Sequence, residues 1–125
     1  MGFDVVQADE LVWEERPAEP GQEPRRHAVL TEPASLTQSR ARMWRYPPHA
    51  EGRRHLDPDQ EEVFVPISGT LTALLGDPPE RFDVGPGGVI VVHPGTAMQL
   101  RNETDEDVVF FAYGAPAVTG NAQFL

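Results

Sequence analysis

The chain has 125 residues, a length that sets a single domain as the expectation. Its 20 acidic residues outnumber 10 basic ones, which are all arginine, and it contains no cysteine. These counts exclude lysine chemistry, disulfides, thiol nucleophiles and cysteine-ligated zinc, and a net charge of −10 argues against nucleic acid and anionic membranes as partners. Residues 1–7 lack the basic start and apolar run of a signal peptide. No apolar stretch approaches the ~20 residues of a membrane helix. The expectation is a cytoplasmic chain.

Gly and Pro together punctuate short runs rich in Val, Ile and Phe along the whole chain. That punctuation predicts many short strands joined by tight turns, hence an all-β sandwich or barrel. No window sustains a 3.6-residue apolar period, so long helices are not expected. In chain order, residues 10–16 alternate around Leu11 and Trp13 and predict a strand. Residues 17–24 form a Pro/Gly/Glu-rich connection. A short strand is expected at 27–31, then a loop at 32–40. The signal sharpens from Ala41. A strand at 41–46 stops at Pro47-Pro48, and 49–60 read as a polar loop leading into a strand. Strands follow at 62–68 and 70–75, separated by a turn at Gly69. The cluster Gly76-Asp77-Pro78-Pro79 is a strong turn signal. Further strands are expected at 81–84, 89–93, 97–102 and 108–113.

Two of these strands are apolar on both faces. Val63, Val65 and Ile67 alternate with Phe64 and Pro66, and Val109, Phe111 and Tyr113 alternate with Phe110 and Ala112. A strand with one solvated face would alternate apolar with polar residues. Both faces are therefore expected to be covered, one by the barrel interior and the other by the N-terminal segment or a second subunit.

The chemistry concentrates in two spaced patterns. In the first, His55 is followed by Asp57, then Glu62, then Gly69 after six further residues. In the second, Gly87 is followed after five residues by His93-Pro94-Gly95, then Met98, then Asn102. Together they resemble the two motifs of the cupin superfamily. The first motif there runs Gly, five residues, His-x-His, three or four residues, Glu, six residues, Gly. The second runs Gly, five residues, Pro-x-Gly, two residues, His, three residues, Asn. His55 takes the first histidine place and Glu62 the glutamate place. Asp57 replaces the second histidine, Met98 the third, His93 the usual proline, and His49 the leading glycine.

The resemblance implies a double-stranded β-helix of jelly-roll type. It also implies a single cupin domain over residues 1–125, with N-terminal strands and loops at 1–40, a barrel core at 41–113 and a C-terminal tail at 114–125. Three His and one Glu hold Fe, Mn, Zn, Ni or Cu in a typical member. Here the implied metal set shrinks to His55, Asp57 and Glu62, with Met98 in place of the fourth ligand. One histidine and two carboxylates can still form a three-ligand site for a divalent ion, whereas a thioether is a poor ligand for Fe(II), Mn(II) or Zn(II). A divalent metal (Fe, Mn, Ni or Zn) and no metal at all both remain open. His55 can equally be hydrogen-bonded to Glu62 alone, and Glu62 can pair with Arg42 or Arg53.

The expected ligand pocket is lined by Trp44, Tyr46, Phe64, Met98 and Leu100. The leading functional expectation is a small cupin that binds a small organic ligand in its barrel, with metal weakly held or absent. A metal-dependent oxygenase or isomerase using His55, Asp57 and Glu62 is the first alternative. A non-catalytic regulatory or assembly partner is the second. The resemblance further implies a homodimer, with Leu11, Trp13 and one face of the Val63/Val65/Ile67 strand at the contact. A monomer in which residues 8–30 fold back over their own barrel is the competing arrangement.

Overall fold

A computed structural model describes residues 2–117 and 120–125. Eleven strands and one 3₁₀ turn, Ala8–Glu10, are present among them, with no α-helix. The strands are β1 (Glu14–Arg16), β2 (Arg25–Val29), β3 (Arg40–Tyr46), β4 (His55–Leu56), β5 (Glu61–Ser68) and β6 (Leu71–Leu75). They continue with β7 (Glu80–Val84), β8 (Ile90–Val92), β9 (Met98–Arg101), β10 (Val108–Ala115) and β11 (Gln123–Phe124). All pairings are antiparallel. One sheet has the order β1-β2-β3-β10-β5-β8, the other β11-β4-β9-β6-β7. From β3 onward the chain alternates between the two sheets at every step except the β6–β7 hairpin, as in a double-stranded β-helix.

Alternation along each strand decides what lies between the sheets. Tyr46, Phe64, Phe110 and Ala112 point inward from the larger sheet, and Leu71, Ala73, Met98 and Leu100 from the smaller. Phe110, Leu71 and Val108 are fully buried. The aromatic rings interlock: Tyr46 and Phe64 both meet Phe110 edge-on, at centroid distances of 5.0 and 6.2 Å.

Two motif residues prove structural. Gly69 turns β5 into β6 with φ +81°, and a Cβ there would lie 2.7 Å from the Asp107 carbonyl oxygen. Only glycine fits such a left-handed, close-packed turn. Asn102 is fully buried. Its Nδ2 donates to the carbonyl oxygens of Tyr46 (3.0 Å), Pro47 (3.1 Å) and Glu106 (2.7 Å). Its Oδ1 accepts from the backbone N–H and the hydroxyl of Thr104. One side chain thus ties the end of β3 to the turn between β9 and β10.

The structure departs from the sequence expectation in three places. Residues 10–16 are not one strand: Glu10 ends a 3₁₀ turn, and only Glu14–Arg16 are extended as β1. The polar stretch 49–60 contains β4, and residues 114–125, read as a tail, contribute β11. The doubly apolar strands have their inner faces buried, but the outer face of the larger sheet is covered only in part. Val63, Val65 and Phe111 are half-buried there, while Ile67 is 52% and Val91 46% exposed. Trp13 approaches this sheet, with the Arg45 guanidinium 5.4 Å over its ring.

Candidate functional site

A cavity of about 870 Å³ is lined by residues of both sheets. Trp44, Tyr46, Phe64, Met98 and Leu100 all line it, as do His55 and Glu62. Tyr46, Phe64, Met98 and Leu100 are buried and form an apolar floor. Trp44 is half-buried, edge-on to Tyr46 at 5.6 Å.

His55 and Glu62 are brought together from opposite sheets. His55 lies on β4, between β11 and β9, directly opposite Met98 in register. Glu62 lies on β5, whose even-numbered residues face inward. The His55 Nε2 and Glu62 Oε1 atoms are 3.4 Å apart, and the two side chains are 23% and 13% exposed. His55 Nδ1 lies 3.1 Å from the Arg53 carbonyl oxygen. A carbonyl can only accept, so Nδ1 carries a hydrogen. The hydrogen bond to Glu62 holds the imidazole pKa above its ordinary value, against the opposing effect of burial. The Arg53 carbonyl and the charges of Glu62 and Asp57 act in the same raising direction. Glu62 has its ion pair with His55, not with Arg42 or Arg53.

Asp57 does not join this pair. It is buried, but its Oδ1 accepts the backbone N–H groups of Asp59 and Gln60, each at 2.9 Å. It does not line the cavity. The expectation that Asp57 shares a face with His55 requires extended backbone through Asp57, and β4 ends at Leu56. Asp57 instead starts the turn into β5 and satisfies its orphan N–H groups. Among the described residues no three His, Cys, Asp or Glu side chains are grouped to hold a metal ion. The donors left at the site are one imidazole, one carboxylate and the Met98 thioether, a set that fits the usual cupin metals poorly.

Residues that the sequence reading did not place in the pocket complete the cavity, Arg42 having been expected only as a partner for Glu62. Arg40 and Arg42 precede Trp44 and Tyr46 on the same inward face of β3, and Arg25 and His27 stand beside them on β2. The alternation that groups Trp44 with Tyr46 extends backward to both arginines, so the signal was present in the sequence.

A family model described as a cupin domain matches residues 42–114, more than half of the chain. The chain belongs to the cupin family. No curated protein matches its sequence. Among solved structures, this cupin is similar to the polyketide cyclase RemF from Streptomyces resistomycificus, with 18% identity and a TM-score of 0.81 over 98% of this chain and 84% of that one. It is similar to a predicted oxalate decarboxylase from Thermotoga maritima, with 17% identity and a TM-score of 0.78 over 90% and 98%. It is also similar to a sugar phosphate isomerase from Silicibacter pomeroyi, with 21% identity and a TM-score of 0.76 over 89% and 74%. At these identities the likeness establishes the fold and not the activity. Among the described residues, no helix of this cupin is long and apolar enough to cross a membrane.

Proposed function

We propose that this cupin takes a small organic ligand into its barrel and holds metal weakly or not at all. The observation that carries the reading is the cavity itself. Its apolar floor of Tyr46, Phe64, Met98 and Leu100 lies beside one ionisable pair, His55 and Glu62. A concave apolar site with a few convergent polar groups suits a small molecule. Metal analysis of protein purified without chelator is the direct test of the second half. Substoichiometric metal is expected, and one tightly held ion per chain would overturn it. For the first half, Met98→Trp fills the floor and should abolish binding of any small aromatic probe that the parent binds. Unchanged binding would move the ligand out of the barrel.

The alternative is a metal-dependent cupin enzyme. In its favour, His55 and Glu62 keep their motif places and meet inside the barrel, and two of the similar structures are named as an isomerase and a predicted decarboxylase. It would need Asp57, which does not line the cavity, to turn into it. On assembly, we propose a homodimer through the outer face of the larger sheet, where Ile67, Val91 and Tyr113 remain exposed.

A further inference from the structure

The charge of this chain is distributed against its average. The net charge is −10, yet six of its ten arginines line the cavity: Arg16, Arg25, Arg40, Arg42, Arg53 and Arg54. Four glutamates share that wall, Glu19, Glu23, Glu51 and Glu62. Two of those have partners already: Glu62 is engaged by His55, and Glu51 lies 3.5 Å from Arg101, which is outside the cavity. Among the described residues, the arginines in ion pairs are Arg45, Arg81 and Arg101, all outside the cavity.

Three of the cavity arginines are instead held by neutral groups. Arg25 Nη1 donates to the Tyr46 hydroxyl at 3.2 Å, and Arg40 Nη2 donates to Gln60 Oε1 at 3.0 Å. Arg42 Nη1 lies 3.2 Å from His27 Nδ1. A guanidinium can only donate, so His27 accepts at Nδ1 and is the neutral tautomer with its hydrogen on Nε2. Arg25 and Arg42 also lie 5.0 and 5.3 Å over the Trp44 ring. The charges feel one another. Burial lowers the pKa of Arg42, and Arg40 and Arg16 lower it further. Burial, Arg42 and Arg16 lower that of His27 in the same way. Positioned by neutral partners, the forks keep their full charge and part of their donor capacity.

We propose that Arg16, Arg25, Arg40 and Arg42 form an oxyanion subsite, so that the barrel ligand is an organic anion with a carboxylate or phosphate head and an apolar body. The inference rests on the barrel-binding reading above and gives it a chemical class. Planar guanidinium forks match both head groups, which present paired oxygens. The cavity is far larger than an inorganic ion needs, and its apolar floor lies beyond the arginines, so head and body are accommodated together.

Calorimetric titration with benzoate, phenyl phosphate and benzyl alcohol, at fixed ionic strength, tests this on the full chain. The two anions should bind at least about tenfold more tightly than the alcohol, the worth of one charge-assisted hydrogen bond. The tighter anion assigns the head group. Arg42→Gln and Arg16→Gln should each erase most of that preference. Arg16 is exposed, so its variant keeps the test sound if Arg42→Gln folds poorly. Arg81→Gln removes the same charge far from the cavity and should leave the preference intact. Equal affinity for all three probes, or binding of the alcohol alone, overturns the anion inference and leaves barrel binding standing. No binding by any of the three overturns both. A preference lost equally in Arg81→Gln reduces the effect to net charge and also overturns the subsite.

Discussion

Met98→His restores the imidazole that the family motif places in this position, and its effect follows from the register. Met98 is 2% exposed and stands directly across the ladder from His55. Side chains so paired have Cβ atoms about 4.5–5.5 Å apart. Two imidazoles at that separation can share one ion at metal–nitrogen distances of about 2.0–2.1 Å. Glu62, already 3.4 Å from His55, supplies the third donor. Without metal, a polar ring replaces a thioether in the core, at a cost of about 1–3 kcal/mol. In a domain of this size that lowers Tm by roughly 4–12 °C. Nickel or zinc at 100 times Kd returns about 2.7 kcal/mol, enough to bring the melt back near the parent's. Thermal melts with and without metal, paired with calorimetric titration, check both halves. Equal metal affinity in parent and variant would refute the placement of residue 98 at the His55–Glu62 pair.

Three other outcomes are expected. Because Glu62 raises the His55 pKa, the pair stabilises the fold fully below the unfolded value near 6.5, and that stability is lost as pH rises through the higher folded value. Glu62→Gln should therefore cost about 1–2 kcal/mol in urea unfolding at pH 5.5 and less at pH 9; the same loss at both pH values contradicts the coupling. Asn102→Ala strands the Tyr46, Pro47 and Glu106 carbonyls and the Thr104 N–H, and should cost about 2–4 kcal/mol; a loss under about 0.5 kcal/mol would show that water replaces the amide. Val65→Asp puts a carboxylate on the outer face of β5, and light scattering after size exclusion should then read one chain where the parent reads two. A one-chain mass for the parent at micromolar concentration disproves the dimer.

The strands legible in the sequence are those with a pattern of their own. β5 and β10 carry long alternating apolar runs, and their burial follows that alternation. β4 has two residues and no pattern; it is a strand because β9 and β11 flank it, a long-range fact that no local window contains. The same brevity misplaces Asp57, since a two-residue strand stops the period-2 rule one residue too soon. At the site, the apolar floor was readable because Trp44 and Tyr46 share a face. Of the arginines beside them, Arg42 was expected only as a partner for Glu62 and Arg40 not at all, because charge in an acidic chain reads as surface. Their position on β3, two and four residues before Trp44, held the contrary information.

The strand that carries His55 is fastened on its inner side and lightly covered on its outer one. β4 pairs with β9 at one position and with β11 at two, and on either side of it the Gly52 N–H donates to the Leu100 carbonyl oxygen and the Gly95 N–H to that of Asp57. Phe124 of β11 lies beneath the Arg53 guanidinium at 3.9 Å, and its ring centroid is 6.3 Å from that of His55. β11 is a two-residue, exposed edge strand, and such segments open at low free-energy cost, independently of the core. Phe124 and Leu125 line the cavity, so peeling back β11 would widen its mouth while His55 keeps its place opposite Met98 and the Phe110 cluster stays packed. Entry to the barrel past this edge would thus leave the His55–Glu62 pair assembled.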